Sequence, residues 1–233
     1  LLVTSDAALF QAVSRTDVRT YSDLLKPVAV LTSQPVVMVA NPDTGARTVA
    51  DVIAKAKSAS SPLPYATATA TGTHRVVAEA FFRRAGIALE NVPYKGGGQA
   101  VQDLVSGQVG IGMLGAAPVM APIRSGKLTA VAVSSATSST SLPDTPTIAE
   151  AGFPGFDMTQ WFAVVAPPSM ADPLAGQIAA AMLKALADPA VVRSLEKAGL
   201  EPNGEDPAAF AKRIAQDKPV WLDAAKTLGI STR

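Results

Sequence analysis

The chain has 233 residues, a formal net charge of +1, 48% hydrophobic and 17% charged residues, enough apolar material for one large domain or two small ones. Lys and Arg are scattered singly among Asp and Glu, so no dense basic patch points to nucleic acid, and no apolar run is long enough to span a bilayer. Cysteine is absent, which removes disulfides, thiolate nucleophiles and Cys-based zinc sites but decides nothing about compartment.

In chain order, residues 1–4 read as a buried strand ending at Ser5-Asp6. The opening Leu-Leu-Val-Thr is too short for a signal peptide, and a start at Leu1 suggests a chain that begins inside a longer protein. Residues 28–32 and 35–40 are two β-branched apolar runs with a polar break between them. Thr48-Val-Ala-Asp51 has capping-box form and opens a helix. A short strand at 65–68 leads into a small-residue turn at 69–73, and a helix carrying Val76, Val77, Ala80 and Phe81 stops at Gly86. The pattern repeats with an extended segment 92–94, a helix 99–106, a strand 109–114, a helix from about Ala116 to Ser125-Gly126, and a buried strand 128–133. Strand–helix alternation of this kind means parallel pairing and an α/β fold. A Ser/Thr-rich loop, a short helix at 147–151 and a strand at 158–166 follow. The remainder reads as helical, with three Asp-Pro start signals at Asp172, Asp188 and Asp206 and a stripe of Ile178, Met182, Leu183 and Leu186. Pro219 should kink or split the last helix.

Chemistry is sparse. His74 is the only histidine, set beside Thr73 with no obvious carboxylate partner, so a hydrogen-bonding role outweighs a general base, and a hydrolase using His74 is the lesser alternative. No cluster has metal-ligand spacing, and no cofactor is called for. Glu150, Asp144 and Asp157 read as turn-forming, solvated residues. There is no nucleophile elbow and no P-loop. Two donor-rich turns remain, Thr69-Ala70-Thr71-Gly72-Thr73 and Lys95-Gly96-Gly97-Gly98, each following a strand and opening a helix. Peptide N–H groups at such a turn can hold an anion, and ligands gather at the carboxyl ends of parallel strands. The two turns should therefore border one cleft, with Ser5 and Asp6 ending another strand that could face it. Donors without an acid–base pair favour binding over turnover.

Val92-Pro-Tyr-Lys-Gly-Gly followed by Asp103-Leu-Val-Ser-Gly-Gln-Val109 resembles the signature of Bug-type solute-binding proteins, the TctC-like receptors of tripartite tricarboxylate transporters. Further similar segments are Gly126-Lys-Leu128 leading to Ala132-Val-Ser134, Leu142-Pro-Asp-Thr-Pro-Thr147, Ala149-Glu-Ala-Gly-Phe-Pro-Gly-Phe156, Trp161-Phe162 and Ala166-Pro167. Ala187-Asp-Pro, Leu200-Glu-Pro and Phe210 in the tail also agree.

The resemblance implies a two-lobe, periplasmic-binding-protein-like (type II) clamshell with mostly parallel sheets. One lobe is residues 42–159 and the other joins 1–41 to 160–233, incomplete because the family's first two βα units lie upstream of Leu1. It implies a periplasmic receptor that is not an enzyme, captures a small di- or tricarboxylate between the lobes and delivers it to membrane permease subunits; a sensing subunit for a signalling partner is the alternative. Ligand-binding residues carried by the resemblance and the turns are Ser5, Asp6, Thr69, Ala70, Thr71, Gly72, Thr73, Arg75, Lys95, Gly96, Gly97, Gly115 and Ala116. Family glycines fall at Thr69 and Thr71, and the family histidine falls at Arg75, which either pairs with a carboxylate or points to solvent. The acidic residue the family often has in its 109–118 turn is replaced here by Leu114 or Gly115, which argues against an amino-acid ligand unless Asp6 compensates. Trp161 and Phe162 are expected to pack at the hinge.

Overall fold

The structure is a computed structural model that describes residues 1–11 and 19–227. In chain order the strands are β1 (Leu2–Ser5), β2 (Lys26–Ala40), β3 (Leu63–Thr67), β4 (Leu89–Pro93), β5 (Ile111–Gly115), β6 (Thr129–Val133), β7 (Thr159–Ala166) and β8 (Glu201–Glu205). The helices are α1 (Asp6–Leu9), α2 (Val49–Ser58), α3 (Thr73–Ala85), α4 (Gly97–Val105), α5 (Ala116–Arg124), α6 (Asp172–Leu186), α7 (Pro189–Lys197) and α8 (Pro207–Thr227). The chain forms two compact units, one of Gln34–Thr159 and one of Leu1–Ser33 with Gln160–Arg233.

In the Gln34–Thr159 unit, side chains along β2 alternate between two buried clusters. Val36, Met38 and Ala40 join one, and Val37 and Val39 join the other. Successive strand residues point to opposite faces, so both faces of this sheet are covered. Val49 and Val52 of α2 with Val77, Phe81 and Phe82 of α3 cover the first face, while Ala100 and Leu104 of α4 with Val119 and Met120 of α5 cover the second. β3 pairs in parallel with β4 and β5, as strand–helix alternation predicts. β2 runs against β5 and β6. Buried Asn41 bonds the carbonyls of Leu104 and Val105 at 2.7 and 3.3 Å, ending α4 against the start of the next loop.

β2 is one unbroken strand of fifteen residues rather than two. The expected polar break fails because Gln34, only 5% exposed, has an internal partner: its Oε1 accepts from the Ala117 N–H at 3.5 Å. The two compact units divide between Ser33 and Gln34, inside this strand. The short helix expected at 147–151 is a single capped turn. Thr147 and Glu150 bond each other reciprocally at 2.8 and 3.0 Å, and Gly152 at φ 105° takes the chain out of helical geometry.

In the other unit β1 pairs antiparallel with β7, and β8 pairs with the first half of β2. β1 is a strand, as expected, but not a buried one: Leu1, Leu2 and Val3 are 63, 54 and 66% exposed. Its place at the end of the strand order leaves these side chains uncovered among the described residues. Buried Trp161 stacks edge-on against Phe10 and Phe210, with ring centroids 5.8 and 5.4 Å away, and its Nε1 donates to Asp217 at 2.9 Å. Asp188 and Asp206 cap α7 and α8 through the N–H groups of Ala190 and Ala209, as the Asp-Pro pattern predicts. At α6 the helix starts one residue early, with Ala171 as N-cap, because Lys26 engages the Asp172 carboxylate at 2.6 Å. Pro219 lies inside α8 without splitting it, and β8, rich in polar residues, had no strand signal.

Lys218 Nζ lies 2.6 and 2.5 Å from the two carboxylate oxygens of Asp23. This hydrogen bond, more than any other cause, holds the Asp23 carboxyl below the ordinary carboxylate range. A carboxyl whose native pKa is depressed stabilises the fold above its unfolded pKa and loses that stabilisation as pH falls through the native value. Asp23→Asn should therefore reduce stability near neutrality and narrow the stability gap between pH 7 and about pH 3. Urea unfolding at the two pH values reads this, and an unchanged gap contradicts it.

Candidate functional site

Parallel pairing of β3 with β4 and β5 places the carboxyl ends of three strands along one edge of the Gln34–Thr159 unit. The helices that follow, α3, α4 and α5, all begin there. The Tyr94 N–H donates to the Thr67 carbonyl at 2.9 Å, the last bond of the β3–β4 ladder, so the first two turns leave from paired strand ends. The structure thus brings together the turn at 69–73, the turn at 95–98 and the Gly115-Ala116 junction.

These three helices share an unusual start. Each has glycine at its N-cap, Gly72, Gly96 and Gly115, with no side-chain hydrogen bond to the first turn. By contrast Thr48 caps α2 within a capping box, and Asp188 caps α7. A helix start carries N–H groups with no intrahelical acceptor. Among the described residues none accepts from the backbone N–H groups of Ala70, Thr71 or Gly72, nor from those of Gly97 and Gly98. Thr69, Ala70, Lys95 and Gly98 are exposed, and Thr71, Gly72, Gly96 and Gly97 are half-buried.

The first turn is tied from below. Asn91 Nδ2 donates to Thr67 Oγ1 at 2.9 Å, and Thr67 Oγ1 donates to the Thr69 carbonyl at 2.9 Å. A Cβ on Gly72 would stand 2.3 Å from Thr69 Oγ1, so any larger residue there would have to turn the Thr69 hydroxyl aside. Gly96 sits at φ 139°, a conformation open to glycine and strained for other residues. Tyr94 beside it donates to Asp103 at 2.8 Å; burial and that carboxylate push its hydroxyl up to about 12, so it stays a neutral donor.

Arg75 turns back toward the preceding turn. Its Nη1 donates to the Ala70 carbonyl at 2.9 Å, and its Nε lies 4.0 Å from Glu79, with the side chain 25% exposed. Glu79 in turn accepts from the buried Tyr65 hydroxyl at 2.7 Å. Burial first and Glu79 second raise the Tyr65 pKa above its ordinary value. Thr73 is buried at 3% exposure and His74 is half-buried, both in the first turn of α3.

The third junction differs. Gly115 and Ala116 are buried, and a Cβ on Gly115 would meet the Gln34 carboxamide at 2.7 Å. The Ala117 N–H faces Gln34, and Pro118 has no N–H, so α5 offers the edge few open donors. Ser5 and Asp6 lie in the other unit. Ser5 caps α1 by accepting from the Ala8 N–H at 3.4 Å, and Asp6, 2% exposed, accepts from the Ala7 N–H at 2.7 Å. Two further residues, Gln34 and Glu79, shape the site. Gln34 gives no local signal, because its partners come from a distant segment. Glu79 stands four residues after Arg75, the spacing of helical ion pairs. Among the described residues no three of His, Cys, Asp and Glu gather to hold a metal ion, and no helix is long and apolar enough to cross a membrane.

A mixed sheet with helices on both faces and helix starts along one edge is the architecture of periplasmic binding proteins. Rpa4515 of R. palustris, solved with adipate, superposes with a TM-score of 0.85 at 26% identity over 97% of this chain and 77% of that one. MatC from Rhodopseudomonas palustris, solved with bound malate, gives 0.81 at 25% identity over 95% and 77%. The family model of the tripartite tricarboxylate transporter family receptor matches residues 11–229, and the chain belongs to that family. This is a family of solute-binding receptors, not of enzymes. Protein BugT of Bordetella pertussis is 32% identical over 205 residues, 88% of this chain and 63% of that protein. The chain thus spans less than two thirds of the length of this relative.

The contact at Gly72 is testable. Gly72→Ala should cost about 0.5–1.5 kcal/mol, the cost of driving the Thr69 side chain off its rotamer. Thr69→Ala removes the obstructing hydroxyl and leaves only a carbon at 3.7 Å. The double variant should recover most of the loss in chemical denaturation; purely additive costs contradict the contact.

Proposed function

We propose that the protein is a periplasmic receptor that captures a small organic di- or tricarboxylate on the donor edge of the Gln34–Thr159 unit and delivers it to membrane permease subunits of a tripartite tricarboxylate transporter. The observation that carries this reading is the set of open N–H groups of Ala70, Thr71, Gly72, Gly97 and Gly98, held side by side by the Tyr94–Thr67 bond. Each carboxylate oxygen accepts more than one hydrogen bond, and helix starts add favourable partial charge. Thr69, Thr71 and Lys95 stand on the same turns, with hydroxyls and an ammonium within the same edge. The relatives solved with adipate and malate carry two carboxylates in their ligands, which supports the same ligand class here. Family membership supports the periplasmic location and the permease partner. The turns hold no acidic side chain, which favours acids without an ammonium group.

Titration calorimetry of the full-length protein against acetate, C4 to C6 dicarboxylates, malate, citrate and a diamine of matching length tests the reading. Heat with at least one di- or tricarboxylate and none with the diamine is expected. No heat with any acid overturns it. Gly98→Asp sharpens the test, because a Cβ at Gly98 meets nothing within 4 Å. An acidic residue in a helix's first turn is favourable, so stability should hold or rise slightly. Its carboxylate would compete for the same N–H groups and repel the ligand. Affinity should fall at least about tenfold, or ~1.4 kcal/mol, and unchanged affinity argues against this turn.

A further inference from the structure

The Arg75 side chain reaches back from the first turn of α3 to the carbonyl of Ala70, in the middle of the preceding turn. A trans peptide is planar, with its C=O and N–H pointing in opposite directions. Tying the Ala70 oxygen to the guanidinium therefore aims the Thr71 N–H away from it. The same logic holds one peptide earlier, where Thr67 Oγ1 holds the Thr69 oxygen and so aims the Ala70 N–H. Two successive peptides of the turn are oriented by side chains beneath them.

A guanidinium in this place would also bring a full positive charge behind the turn. Glu79 stands one helical turn on, 4.0 Å from Arg75 Nε, and is fixed by the hydroxyl of Tyr65 from β3. Tyr65 is fully buried, so the carboxylate is anchored to the sheet. Tyr65, Glu79, Arg75 and Ala70 thus form one chain of contacts from the core to the turn.

We propose that Arg75 is a positioning residue that aims the N–H groups of the turn, and that Glu79 cancels its charge, so that the first turn selects carboxylates by oriented peptide dipoles and not by a cation. This rests on the carboxylate-receptor reading above. Lys95, exposed on the neighbouring turn, remains the uncancelled cation of the two donor turns.

Two charge variants should move selectivity in opposite directions. Glu79→Gln keeps an acceptor for Tyr65 but leaves the Arg75 charge uncancelled. It should tighten dicarboxylate binding relative to monocarboxylate binding by about threefold or more at low salt, since a dianion brings a second charge into the same field. The gain should shrink between about 20 and 300 mM salt. Arg75→Gln exposes the Glu79 charge and frees the Ala70 carbonyl, so it should weaken both ligand classes and dicarboxylates more. Calorimetry with one mono- and one dicarboxylate that differ by a single carboxyl reads the ratio. A ratio that stays fixed in the variants while the unaltered protein binds acids overturns this inference and leaves the receptor reading standing. Absence of binding by the unaltered protein removes both. Should one variant fail to fold, the other still decides, because a residue that only stabilised α3 would not shift the ratio.

Discussion

The Tyr94 N–H to Thr67 carbonyl bond is the constraint on which the donor edge depends. The β3–β4 register ends at Thr67 opposite Pro93, and a strand normally diverges from its neighbour once pairing ends. Because Pro93 has no N–H, the Tyr94 bond is the one that closes the ladder at that pair, and both chains turn into helices from that point. The starts of α3 and α4 are thereby held at neighbouring positions. The stiffness of that arrangement comes from the sheet, whose two faces are fully covered, so the turns inherit the order of the core rather than the freedom of surface loops.

Given that placement, the caps decide what the edge can do. A serine, threonine or aspartate at an N-cap places its own oxygen on the first-turn N–H groups. Thr48 and Asp188 do this for α2 and α7. Glycine at Gly96 leaves the Gly97 and Gly98 donors to whatever arrives from outside, and before α3 the open donors are those of the turn itself, Ala70, Thr71 and Gly72. α5 also starts at a glycine, yet Gln34 crosses from β2 and covers it. Three helices with the same cap residue therefore differ in where open donors lie: in the turn before α3, in the first turn of α4, and under Gln34 at α5. The difference at α5 follows from a side chain on the strand that runs against them.

Much of this was legible in the sequence. The glycine turn at 96–98, the small-residue turn at 69–73 and the alternation of strands and helices place two donor turns at strand ends, because turn chemistry and hydrophobic period are local properties. The capping box at Thr48 and the Asp-Pro starts at Asp188 and Asp206 were readable for the same reason. What escaped was non-local. The continuity of β2 through Ser33 and Gln34 depends on a partner in α5 more than eighty residues on. The exposure of β1 depends on its position in the strand order, and the polar strand β8 is specified by pairing rather than by its own residues. Arg75 shows the boundary most clearly. Its neighbours in sequence suggest a ligand contact or a solvated side chain, and only the folded turn reveals the Ala70 carbonyl as its acceptor.

The choice of glycine at the open caps has an energetic logic. Replacing a good N-cap by alanine typically costs about 1 kcal/mol, whereas replacing it by glycine costs only a few tenths, since water reaches the N–H groups past a residue with no side chain. The open start of α4 therefore lowers stability by well under about 1 kcal/mol on this scale. Each N–H left to water is a donor that an incoming oxygen can take over without first displacing a protein group. Alanine would open the same donors at greater cost, and threonine would close them. At Gly72 a Cβ would also have to turn the Thr69 hydroxyl aside, so glycine there spares the donor turn a rearrangement.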